Sequence, residues 1–117
     1  MMNFDLALQK HAEWKSRLRS ALYAREKLDA AQISKDNVCE IGAWLHGEAK
    51  VQFGKHSTFQ HCVEEHAAFH REAGKVATAI NEGKSAEAEN MLAMGSAYAE
   101  ASKRVGVAII ELKMQIK

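Results

Sequence analysis

Apolar residues recur three and four positions apart along four long stretches of this chain, a period that an amphipathic helix satisfies and a strand does not. The first stretch, from about Asn3 to Leu28, puts Phe4, Ala7, Leu8, His11, Trp14, Leu18, Ala21 and Leu22 on one face. The second starts near Asp36, read as its N-cap, and runs to Gly54. The third opens with Ser57 and Gln60 at capping-box spacing and stops at Asn81-Glu82-Gly83. The fourth begins after Ser85 and continues almost to Lys117 through Ala88, Leu92, Tyr98, Val105, Ile109, Leu112 and Ile116. The chain has no proline, and strong helix formers are plentiful.

Short polar connections between long amphipathic helices imply antiparallel neighbours. The predicted fold is therefore all-α, an antiparallel up-and-down four-helix bundle with a short second helix. At 117 residues it is one domain, 1–117, large enough to bury a core without disulfides. The second helix would span about 25 Å while the others reach about 36 Å or more. That difference leaves an apolar strip along helices one and four. A homodimer is the expected cover; the alternative is that the loop from Asp29 to Lys35 folds back over it.

Charge and hydropathy remove several classes of function. A net charge of +1 without a basic block gives no footprint for nucleic acid. No apolar run approaches the ~20 residues needed to span a membrane. The N-terminus has neither the charged start nor the apolar centre of a signal peptide. Cys39 and Cys62 do not make a disulfide framework, so a reducing cytoplasm is expected.

Three histidines occupy stripe positions where leucine would be ordinary. His66 and His70 lie four apart, so both imidazoles leave one face of the third helix, about 6 Å apart along its axis. His11 does the same on the first helix. Zinc takes imidazole nitrogen and thiolate sulfur in a tetrahedral shell, and four protein ligands close such a site. Cys39 is the fourth candidate. At the start of helix two, unpaired backbone N–H groups and the positive end of the helix dipole should favour its thiolate. Asp36 is placed to act as an outer hydrogen-bonding group, and Gly42 would let a neighbouring helix approach. The other conspicuous side chains read as structural: Trp14, Trp44 and Tyr98 as core, Cys62 as a small buried filler, and His46, His56 and His61 as surface residues.

The ordered set H-x-x-W-K (His11, Trp14, Lys15), C-x-x-G-x-W-L (Cys39, Gly42, Trp44, Leu45) and H-x-x-F-H (His66, Phe69, His70) resembles the chemoreceptor zinc-binding domain family. The resemblance implies a cytoplasmic bacterial sensory module that commonly dimerises. It also implies a signalling effector in cis or in trans, such as a chemotaxis receptor or a diguanylate cyclase. Carried over residue by residue, it assigns His11, Cys39, His66 and His70 to one zinc ion. The input would be zinc occupancy or oxidation of the cysteine ligand.

Catalysis is not expected. The run HAAFH lacks the glutamate that an HExxH hydrolase uses as general base, and four protein ligands leave no open position for substrate. The alternative readings are a metalloenzyme or a hemerythrin-like or ferritin-like iron- or oxygen-binding bundle. The iron bundles need inward carboxylates beside the histidines, whereas Glu64, Glu65 and Glu72 fall off the stripe.

Overall fold

The computed structural model describes residues 2–116. Met1 and Lys117, the ends of the expected 1–117 domain, lie outside the described residues. All regular structure among the described residues is helical, so the all-α expectation holds. The helices are α1 (Phe4–Ala24), α2 (Ala30–Ser34), α3 (Glu40–His46), α4 (Glu48–Phe53), α5 (Ser57–Asn81), α6 (Ser85–Met91) and α7 (Ala97–Gln115).

Helix α5 is the spine. It packs against α1, α2, α3, α6 and α7, and Cys62, His66, Phe69, Ala73, Val76 and Ala77 are buried along it. Across from it, Leu18 and Leu22 of α1 and Val105, Ile109 and Leu112 of α7 complete the core. The 3–4 periodicity is thus spent on one shared interior.

Several predicted boundaries are corrected. The first helix stops at Ala24 rather than Leu28, because Arg25 turns into the left-handed region (φ 57°) and its N–H closes back on the last carbonyls. The polar stretch expected as a loop contains α2, capped by Asp29, whose side chain accepts from Gln32 N–H at 3.0 Å. This segment lies on α5. The single short second helix is two. Asp36 does not cap it; Cys39 is the N-cap of α3, and Gly47 separates α3 from α4.

The capping box at Ser57 does not form. His56 occupies the cap position, and the Gln60 side chain instead donates to the Gly54 carbonyl at 3.1 Å. The predicted fourth helix breaks between Met91 and Ala97, where Gly95 adopts φ 80° and Ser96 caps α7 by accepting from Ala99 N–H. Leu92, where the break begins, and Tyr98, just beyond it, both stay buried. The apolar period therefore passes through an interruption that it does not reveal.

Candidate metal centre

Helices α1 and α5 supply three imidazoles, and the turn into α3 supplies one thiol. His11, His66 and His70 are buried, and Cys39 is half-buried. One ligand-type atom from each of the four lies within 4.8 Å of every other. The structure brings together all four residues singled out in the sequence.

Backbone carbonyls settle two of the imidazole tautomers. His11 Nδ1 is 2.8 Å from Ala7 O, one turn back on its own helix, and His70 Nδ1 is 2.9 Å from Ile33 O in α2. A carbonyl can only accept, so both Nδ1 atoms carry hydrogen. Neutral His11 and His70 then each present an Nε2 lone pair to the cluster. His66 Nε2 sits 3.1 Å from His11 Nε2, and Cys39 Sγ lies 3.3 Å from His66 Nε2 and 3.7 Å from His70 Nε2. Zinc–ligand lengths in tetrahedral geometry put nitrogens about 3.3 Å apart and nitrogen about 3.6 Å from sulfur. The three spacings lie close to these values, and three imidazoles with one thiol are the donor types a zinc-sized cation takes.

The electrostatics point the same way. Burial lowers the pKa of all three histidines, His66 furthest, down to about 2. Neighbouring histidines add to the lowering at His66, while the Ala7 and Ile33 carbonyls partly oppose it at His11 and His70. Neutral imidazole, the metal-binding form, is what this pocket selects. His66 Nδ1 is buried and has no hydrogen-bond partner among the described residues. Its ring packs edge-on against those of His11 and His70, with centroids 5.0 and 4.6 Å away, and lies close enough to Gly42 that an added Cβ there would come 3.1 Å from His66 Cε1.

Cys39 departs from expectation. Its Sγ accepts from Gly42 N–H at 3.4 Å, as a helix-start thiol should. Burial nevertheless outweighs those backbone contacts, and with the nearby Asp36 charge it raises the thiol above its ordinary value. The backbone N–H groups at the start of α3 lower the thiol by less than its desolvation raises it. A cation, rather than the helix start, is what would hold this sulfur as thiolate.

Asp36 lies beside the cluster but is engaged elsewhere. Its carboxylate accepts from His46 Nε2 at 3.0 Å, and its charge reaches both Cys39 and His70. Its backbone carbonyl presses on Gly42, where a Cβ would meet the oxygen at 1.9 Å. His46 and His61 are exposed, as expected. Trp14 is half-buried and carries the Arg17 guanidinium 4.1 Å above its ring. Glu65 pairs with Arg104 at 2.8 Å and Glu72 with Lys75 at 3.0 Å, which turns both carboxylates away from the histidines. Sequence reasoning missed the carbonyls of Ala7 and Ile33. The first was recoverable, since residue i−4 of a helix lies under a histidine at i; the second depends on the packing of α2.

A family model described as chemoreceptor zinc-binding domain matches residues 11–77, more than half of the chain. No curated protein and no solved structure matches it.

Proposed function

The chain belongs to the chemoreceptor zinc-binding domain family, and on that premise we propose that it is a non-catalytic, zinc-binding regulatory module of bacterial signal transduction. The observation that carries this reading is the convergence of His11, Cys39, His66 and His70 within 4.8 Å. In this reading the four are the ligands of one zinc ion, and Asp36 biases the site through its charge. Bound zinc would supply a positive charge that holds Cys39 as thiolate and ties α1, α3 and α5 to one point. The residues do the rest: the Ala7 and Ile33 carbonyls orient two imidazoles, and burial keeps all three neutral.

Residues 1–117 then form one sensory domain, with α1, α3–α4, α5 and α6–α7 as the four legs of an antiparallel bundle. Leu6 of α1 and Val107, Ile110 and Met114 of α7 are exposed apolar side chains, and a homodimer that covers them suits a module of this kind. No helix among the described residues is long and apolar enough to cross a membrane, which agrees with a cytoplasmic module working on an effector domain in cis or in trans. The input is zinc occupancy, with oxidation of Cys39 as a second route to the same loosened state.

The test is metal content. Purified protein should carry about one zinc per chain by native mass spectrometry and elemental analysis. His66→Ala and His70→Ala should each lower that stoichiometry. Full retention of zinc in both variants would refute the ligand assignment, and iron in place of zinc would favour the oxygen- or iron-binding alternative.

A further inference from the structure

The segment joining α1 to α3 is held to α5 at three points. At its start, Leu28 and Asn81 exchange two hydrogen bonds: Leu28 N–H donates to Asn81 Oδ1 at 2.7 Å, and Asn81 Nδ2 donates to Leu28 O at 2.7 Å. Lys27 Nζ adds a bond to the Asn81 backbone carbonyl at 2.6 Å. At its end, Ser34 lies on Gly74 so closely that a Cβ on the glycine would come within 2.6 Å of Ser34 Cβ and 3.2 Å of its Cα. Between these points the Ile33 side chain is buried, and its carbonyl accepts from His70 Nδ1. The strap and the spine thus share one of the four converging side chains.

We propose that Asn81 is a positioning residue for the metal site, acting through this strap. It stands eleven residues after His70 on α5, about 16 Å along the axis, and outside the family match, which ends at residue 77. Its amide satisfies both backbone groups of Leu28, so it fixes where the strap leaves α1. Gly74 fixes how closely the strap lies on α5. With both ends seated, the Ile33 carbonyl sits where it keeps hydrogen on His70 Nδ1 and aims the Nε2 lone pair at the cluster. An unseated strap leaves the His70 ring free to rotate and the carbonyl without its donor. Partners that orient a liganding histidine in this way are commonly worth about 10–100-fold in metal affinity.

This inference rests on the zinc-ligand reading, and the experiment separates the two. Zn2+ affinity is measured at neutral pH by competition with a chromophoric chelator for wild type, Asn81→Ala, Gly74→Ala and Leu112→Ala. The last variant opens a cavity at the far end of the core and serves as a destabilised control. Asn81→Ala and Gly74→Ala should each weaken binding roughly 10-fold or more, while the folded fraction of Leu112→Ala should bind like wild type. A second readout needs no metal. The His70 Nδ1–H proton resonance of chelator-treated protein should be protected in wild type and lost to exchange in Asn81→Ala. Wild-type binding with unchanged affinity and an unchanged His70 resonance in both strap variants overturns the inference alone. A wild type that binds no Zn2+ refutes the ligand assignment and the inference with it.

Discussion

A Cβ added to Gly42 would lie 1.9 Å from the backbone oxygen of Asp36 and 3.1 Å from His66 Cε1. The turn into α3 and the central imidazole thus close on the same glycine from two sides. The nearer neighbour is backbone and cannot swing aside as a side chain would. Gly42→Ala should therefore displace the turn that carries Cys39, destabilise the fold by about 1–3 kcal/mol and weaken zinc binding at the same time. Urea denaturation with a parallel metal titration checks both effects. An alanine variant with wild-type stability and affinity would mean that the turn yields freely.

The buried histidines make the metal-free protein sensitive to acid. All three have folded pKa values below the ordinary value near 6.5, and that of His66 falls to about 2. As pH drops, the unfolded chain takes up these protons first, so the folded state loses ground. The stability that neutral histidines contribute is complete above about pH 7. It declines below about 6.5, and His66 goes on losing its share down to its folded value. The slope reaches about 1.4 kcal/mol per pH unit for each histidine in its window. Denaturation of chelator-treated protein between about pH 5 and 8 should show stability rising with pH and levelling off near neutrality; a flat profile would contradict neutral burial.

The two cysteines should differ in reactivity. Cys62 is completely buried and its thiol is pushed up to about 12, so it is inert in the folded state. Cys39 is half-buried and is raised less extremely. Alkylation of metal-free protein should label Cys39 alone, slowly at neutral pH, and bound zinc should protect it. Oxidant-triggered zinc release, followed with a chelating dye, should disappear in the Cys39→Ser variant and persist in Cys62→Ala. Equal sensitivity of the two variants would place the reactive thiol at Cys62 or remove the oxidant input altogether.

Zinc removal should loosen one region. Helices α1, α5 and α7 share a buried apolar core of their own, whereas α3 is short and begins at Cys39. Ile41 and Leu45 bury its inner face, but Gly47 interrupts it after two turns. Hydrogen exchange of zinc-bound and metal-free protein should accelerate mainly between residues 36 and 53, with α5 and α7 still protected. Metal should also raise the melting temperature with occupancy, as RT ln(1 + [L]/Kd) requires, or about 2.7 kcal/mol at a hundredfold excess over Kd. Uniform loss of protection would make zinc a staple of the whole fold, and unchanged exchange would leave the site with no route to a partner.

The helical class and the inward face of each long segment were legible in the sequence, because burial along a helix follows a local period that residues display in order. His66 and His70 could be placed side by side for the same reason, four residues being one turn of α5. What the period could not show is where a helix stops while its apolar face continues. Gly47 and Gly95 divide helices whose stripes run on across the break, and α2 is a short turn packed on α5, with Ser34 seated against Gly74. Distance through space is likewise absent from a local pattern. Only the packing of α1, the α3 turn and α2 around α5 decides that His11, Cys39 and the Ile33 carbonyl reach the same two imidazoles. Only that packing buries Cys39 deeply enough to reverse the effect of its helix start.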